Sequence, residues 1–222
     1  MIEISRIIDV LNYTYNLKAV IFDLDDTLFD EKEYVKSGYN AVAKELTQVD
    51  NCKDKLLQAF KKGKPAIDTV LYEEEIFEAK LKERCLRIYR EHMPTIHLSN
   101  ETVRTLEVLS GSDIKLGLIT DGRPEGQRAK IKSLQLENFF SKEHIVITDE
   151  LGGINFRKPN PRAFCLLQEK FNVQFNEMVY VADNIEKDFI APNKLGMKSI
   201  WYKNKNGLYY KKSFMDNYNK WC

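Results

Sequence analysis

The sequence predicts an α/β fold: a Rossmann-like parallel sheet core flanked by helices, with an inserted all-helical cap subdomain. Three observations predict it. Short apolar runs rich in β-formers recur along the chain, helix-length stretches separate them, and one separating stretch is far longer than the others and reads as helix almost throughout.

The candidate strands are Lys18 to Phe22, Ile114 to Ile119, His144 to Ile147, Met178 to Ala182 and Ser199 to Tyr202. Between the later strands, Arg123 to Leu134 carries Pro124 near its first turn, and Asn160 followed by Pro161 reads as a cap and a first-turn proline. These intervals have the length of right-handed crossovers. Between the first two strands, Tyr34, Tyr39, Val42 and Leu46 fall at helical spacing, and a second run passes through Val70, Phe77, Leu81, Cys85 and Ile88. Ser99 then opens a further helix. The expected organisation is a core formed by residues 1–30 and 98–222 and a helical cap formed by residues 31–97. The aromatic tail, Lys203 to Cys222, is expected to pack on its own core, with an interface to another chain as the alternative.

Composition narrows the function classes. The chain of 222 residues is 43% hydrophobic and 30% charged, which is ordinary for a globular protein. Lys plus Arg number 34 against 33 Asp plus Glu, so no global field draws nucleic acid or an anionic membrane, and phosphate binding has to be local. The first fifteen residues include Glu3 and Asp9 and lack a signal peptide's apolar core, and nowhere do roughly 18 apolar residues run together. Cys52, Cys85, Cys165 and Cys222 form no C-x-x-C pair, and His92, His97 and His144 share no metal-ligand spacing with them. Zinc is not expected; a reducing, cytoplasmic setting is.

The chemistry concentrates where apolar strands end. Val20-Ile21-Phe22 runs into Asp23-Leu24-Asp25-Asp26-Thr27, which can aim Asp23 and Asp25 to one side of a strand end. Close carboxylates repel, and a divalent cation relieves that repulsion; magnesium suits carboxylates mixed with water and phosphate oxygens. A solvated turn that caps the next helix is the plainer reading of Asp25, Asp26 and Thr27. Three further polar punctuations weigh against it. Thr120-Asp121-Gly122 offers a hydroxyl and backbone N–H groups for a phosphate, although a helix cap is as good a reading of Thr120 alone. Lys158, before a capped helix, can neutralise a phosphate, where a surface lysine is the default. Asp183-Asn184 ends the fourth of these strands, with Asp188 five residues on, and supplies further carboxylates.

These segments, in this order, resemble the four motifs of the haloacid dehalogenase-like superfamily. Its D-x-D-x-T is matched by Asp23, Asp25 and Thr27, its Ser or Thr by Thr120, its Lys or Arg by Lys158 in a Lys-Pro-Asn-Pro setting typical of the phosphatase branch, and its acidic pair by Asp183 and Asp188. The resemblance covers the whole chain and departs only mildly, with Ala182 where the family often has Gly. It implies a Mg²⁺-dependent phosphatase acting on a small phosphorylated metabolite. Asp23 would be the nucleophile that becomes an aspartyl-phosphate, and Asp25 the general acid and then base. Thr120, Asp121 and Lys158 would hold the phosphoryl group, and Asp23, Asp25 (through its carbonyl), Asp183 and Asp188 the metal, with Thr27 and Asn184 in support. Dehalogenases of the superfamily lack the second aspartate, so Asp25 argues against that chemistry.

The inserted segment resembles the superfamily's helical caps, which exclude water and choose the substrate. Lys32, Tyr34, Lys36, Tyr39, Lys61, Lys62 and Lys64 could face a polar leaving group there, a solvated helix face being the commoner outcome. A closed pocket disfavours protein substrates, and no nucleic-acid or membrane partner is expected; a monomer or homodimer is. The rivals are a phosphomutase of the same superfamily, a non-catalytic binding protein and a receiver-type phosphoacceptor, the last of which leaves Asp183 and Asp188 without a role.

Overall fold

Six strands, all parallel, line up in the order β1-β6-β5-β2-β3-β4 in the computed structural model, which describes residues 1–207. They are β1 (Ile2–Ile4), β2 (Ala19–Phe22), β3 (Lys115–Thr120), β4 (Ile145–Ile147), β5 (Met178–Ala182) and β6 (Lys198–Tyr202). The five expected strands are present. The sixth, β1, is an edge strand of three residues that pairs with β6. The aromatic tail from residue 208 lies outside the described residues, and among the described residues no helix is long and apolar enough to cross a membrane.

The chain divides into two compact units. One comprises Met1–Glu31 and the chain from His97 onward, and the other is Lys32–Ile96. In the first, β2 and β5 are buried along their whole length because a parallel sheet with both faces covered exposes neither side chain row. Helices α5 (Asn100–Ser110), α6 (Pro124–Ser133), α7 (Arg162–Phe171) and the short α8 (Ile190–Lys194) belong to this unit. Ser99 caps α5 as expected, its Oγ accepting the Thr102 N–H at 3.0 Å. Helix α7 starts one residue later than the Asn-Pro pair suggests. Pro161 occupies the cap position, and Asn160 Oδ1 accepts the Arg162 N–H at 2.9 Å from outside it. Phe164, Leu167 and Phe171 of α7 join Ile21 and Tyr180 in the core. The helix comes so near the sheet that a Cβ on Gly117 of β3 would lie 2.9 Å from Leu167 and 3.1 Å from Phe171.

Among its described residues the second unit is helical, with α1 (Glu31–Glu45, whose first residue is counted with the sheet unit), α2 (Cys52–Lys61), α3 (Ala66–Glu73) and α4 (Ala79–Glu91). Tyr39, Val42, Leu46, Leu56, Val70 and Cys85 form its core, so Tyr39 is buried and not on a solvated face. The run from Val70 to Ile88 is not one helix. It breaks at a turn in which Glu75 takes a φ of 57°, leaving Val70 on α3 and Leu81, Cys85 and Ile88 on α4.

The chain reverses direction across the sheet at β2, passing to β3 and β4 on one side and to β5 and β6 on the other. Such a switch point opens a crevice at the carboxyl ends of the strands. Asp23 follows β2, Thr120 ends β3 and Asp183 follows β5, so all three meet at that crevice.

Candidate active site

Asp23 prolongs β2 by one residue, its backbone N–H donating to the Val181 carbonyl at 2.9 Å. The chain then leaves the sheet, and Asp26 takes a φ of 54°. This tight exit turns the Asp23 and Asp25 side chains into a cavity of about 210 Å³ whose lining also includes Asp121, Lys158, Asp183 and Asn184.

Lys158 Nζ donates to Asp23 Oδ1 at 2.6 Å and to the Tyr180 hydroxyl at 3.0 Å, and lies 2.9 Å from Asp188 Oδ1 as an ion pair without hydrogen-bond geometry. Burial opposes the Lys158 ammonium, but the charges of Asp188 and Asp23 outweigh it and hold its pKa well above the ordinary value. Asp23 is pushed up to about 7: burial raises it, Lys158 opposes, and the neighbouring Asp188 adds to the rise. Asp183 is raised well above the carboxylate range, first by burial and then by Asp188 and Asp23.

Asp23, Asp183 and Asp188 each offer an oxygen within 4.8 Å of the others, and all three residues are buried. Asp183 Oδ2 is buried with no hydrogen-bond donor among the described residues, and Asp183 Oδ1 has a long contact of 3.5 Å from the Thr27 hydroxyl. Three buried carboxylates facing one lysine, with an orphaned oxygen among them, suit a hard divalent cation such as magnesium. Asn184 shapes the loop that carries two of them, its N–H donating to Asp188 Oδ2 at 3.2 Å and its Oδ1 accepting the Glu186 N–H at 3.0 Å. On the other side, the Trp201 indole N–H donates to the Asp183 carbonyl at 2.8 Å.

Residues 20–202 match the profile of the haloacid dehalogenase-like hydrolases. The chain belongs to that family. It is 29% identical over 199 residues to glyceraldehyde 3-phosphate phosphatase of Pyrococcus furiosus, covering 84% of this chain and 81% of that protein. It is 26% identical over 214 residues to human N-acylneuraminate-9-phosphatase, covering 86% of this chain and 84% of that protein. Among solved structures, a HAD-superfamily hydrolase of subfamily IA from Geobacter sulfurreducens shares the fold with a TM-score of 0.63 at 19% identity, covering 86% of this chain and 89% of that one.

The other expected site residues of this hydrolase have more particular surroundings. The Asp25 carboxylate is not part of the three-acid group. Its Oδ1 accepts Lys130 Nζ at 2.6 Å and its Oδ2 accepts Gln127 Nε2 at 2.9 Å. Thr120 is fully buried, and its hydroxyl also receives the Gln127 amide. Asp121 Oδ1 accepts the Thr148 hydroxyl at 2.9 Å and the Lys158 N–H at 3.1 Å, and its Oδ2 accepts Lys187 Nζ at 2.6 Å. Burial would raise the Asp121 carboxyl, but Lys158 and Lys187 prevail and lower it. A lysine-bound carboxylate repels an anion, so what Asp121 can offer a phosphate is its backbone N–H.

Sequence reasoning passes over Gln127, Lys130, Lys187, Arg157 and Glu31. Arg157 lines the cavity while making a two-pronged pair with Asp149 at 2.7 Å for each contact, and Lys187 lines it beside Asp121. Glu31 reaches the same cavity from the first turn of α1, and its carboxyl is pushed up to about 7, by burial and then by the charge of Asp25. A basic residue adjoining each of two recognised motifs was the one available signal, for Arg157 beside Lys158 and Lys187 beside Asp188.

Proposed function

We propose that this hydrolase is a Mg²⁺-dependent phosphatase of small phosphomonoesters that works through an aspartyl-phosphate on Asp23. The observation that carries the reading is the placement of Asp23 in a cavity where one oxygen meets the Lys158 ammonium at 2.6 Å and the carboxylate faces Asp183 and Asp188. A nucleophilic carboxylate, a cation for the transferred oxygens and a cation-binding acidic group are what phosphoryl transfer to an aspartate requires. The named activities of the relatives support a phosphate ester of a small sugar-like molecule as the substrate class.

In this reading Asp23 attacks phosphorus in line, and the Asp23–phosphorus bond forms as the ester bond breaks. Asp25 gives a proton to the leaving alkoxide, then takes one from the water whose oxygen displaces Asp23 and releases inorganic phosphate. Lys158 offsets the negative charge of the phosphoryl oxygens, and the backbone N–H groups after Thr120 donate to them. Asp23, Asp183 and Asp188, with the Asp25 carbonyl, would hold magnesium, which when bound supplies positive charge between nucleophile and phosphate. The helical unit is assigned the role of a cap that chooses the substrate, on the strength of its insertion directly after the Asp23 segment.

The test is phosphate release from a panel of small phosphomonoesters that includes glyceraldehyde 3-phosphate and N-acylneuraminate 9-phosphate, with magnesium or with EDTA, for wild type and Asp23→Asn. Metal-dependent release that Asp23→Asn abolishes is expected. Release that survives in the Asn variant would sink the nucleophile assignment, and transfer to a sugar without release would identify a mutase.

A further inference from the structure

Gln127 and Lys130 lie three residues apart on α6, one turn of the same helix face, and both side chains are buried. They take different oxygens of one carboxylate: Lys130 Nζ reaches Asp25 Oδ1 at 2.6 Å and Gln127 Nε2 reaches Asp25 Oδ2 at 2.9 Å. The same Gln127 amide donates to the Thr120 hydroxyl and to the Asp121 carbonyl at 3.1 Å, so two N–H groups are shared among three acceptors from two strand ends. Lys130 also stands over the Phe29 ring, 5.9 Å from its centroid. A lysine with a side chain 7% exposed is costly to bury, and it is ion-paired to an aspartate that is 22% exposed and lines the cavity. A buried ion pair is weak evidence for stability, so the pair calls for another reason.

We propose that Gln127 and Lys130 are positioning residues for Asp25. With one donor on each oxygen, the plane of the carboxylate is fixed and its free lone pairs are directed into the cavity, on the side where a water must be deprotonated to hydrolyse the phosphorylated Asp23. The Gln127 amide also donates to the Thr120 hydroxyl and the Asp121 carbonyl, which anchors it at the end of β3 while it holds Asp25. Both residues act through Asp25, and neither is assigned a contact with the phosphoryl group or the attacking water. The inference rests on the phosphatase reading, in which the second step transfers a proton from water to Asp25 while the water oxygen bonds to phosphorus and the Asp23–phosphorus bond breaks.

p-Nitrophenyl phosphate isolates that step, because its leaving phenolate needs no proton when Asp23 is phosphorylated. With the magnesium-loaded protein, Lys130→Met and Gln127→Ala should slow hydrolysis of the phosphoenzyme. kcat then falls by about 10²-fold, the scale of a misplaced group. KM falls in parallel and kcat/KM stays within about threefold of wild type, since kcat/KM reports only the steps through phosphorylation. A burst of p-nitrophenolate approaching one per chain should precede the slow steady state. Gln127→Ala removes no charge and carries the test on its own if Lys130→Met does not fold. Variants that lose kcat/KM in step with kcat, with no burst, overturn the positioning role while leaving the phosphatase reading intact. Variants with wild-type kinetics do the same. A wild-type protein inert towards this and every other phosphomonoester overturns both.

Discussion

Lys158 and Asp23 meet at 2.6 Å with side chains only 1% and 9% exposed, although 135 positions separate them along the chain. The lysine is the one cation in contact with both Asp23 and Asp188 among the described residues. Lys158→Ala therefore removes the charge proposed to neutralise the phosphate and leaves two buried carboxylates uncompensated. Steady-state kinetics should show kcat/KM lowered by about 10²–10³-fold, the scale of losing one preorganised charge-stabilising group. Chemical denaturation in EDTA should show a loss of about 3–5 kcal/mol, the usual cost of breaking a buried pair from one side. Unchanged kinetics would reduce Lys158 to a structural cation.

Magnesium should stabilise the protein through the same acidic group. A ligand that binds the folded chain alone stabilises it by about 2.7 kcal/mol at a hundredfold excess over its dissociation constant. Thermal melts with magnesium and with EDTA should thus separate by several degrees in wild type. Asp23→Asn alters one proposed ligand carboxylate and should shrink that separation. An equal magnesium shift in the two proteins would place the cation elsewhere.

The parts of this site that were legible in the sequence share a physical basis. Asp23, Thr120 and Asp183 each stop an apolar run, and strand order alone brings such stops to one edge of a parallel sheet. Lys158 was visible because a lysine before Asn-Pro stands out against a helix start. By contrast, nothing local marks Gln127 or Lys130 as partners of Asp25, a hundred or so positions away. On a mid-helix stretch such residues read as a solvated face, and only the docking of α6 buries them. The strand β1 escaped for a related reason: three residues carry too little periodicity, and their pairing with β6 spans nearly the whole chain. In the helical unit the apolar spacing from Val70 to Ile88 survives a turn that the polar residues around Glu75 could equally have placed on a helix surface.

Glu31 gives a pH dependence whose sign can be fixed. Its folded-state pKa of about 7 lies above the ordinary 4.5, through burial first and Asp25 second, with Lys130 opposing. A carboxyl raised in the folded state contributes stability below its unfolded pKa and loses it as pH rises through the folded pKa. Wild type should therefore lose a component of stability between about pH 4.5 and 7 that Glu31→Gln lacks. In EDTA, the melting temperature of Glu31→Gln relative to wild type should be higher at pH 8 than at pH 5. A difference that stays constant with pH would show that Glu31 titrates normally.

The last prediction concerns how the acidic loop is held from behind. Trp201 on β6 is 1% exposed, and its indole N–H donates to the Asp183 carbonyl at 2.8 Å, fixing the backbone from which the Asp183 carboxylate projects. Trp201→Phe keeps an aromatic ring in the core but removes the donor, leaving a buried carbonyl without its partner. That loss costs about 1–3 kcal/mol, beyond whatever the smaller ring forfeits in packing. Because the bond supports a proposed ligand residue without touching the metal, the variant should also weaken magnesium by about 10–100-fold, read as a rise in the magnesium concentration for half-maximal activity. Trp201→Leu, with a larger packing defect and the same missing donor, separates the two effects: its stability should fall further, but its magnesium requirement should match that of Trp201→Phe. Should the magnesium requirement follow stability across the two variants, the indole acts through packing and not through its bond to Asp183.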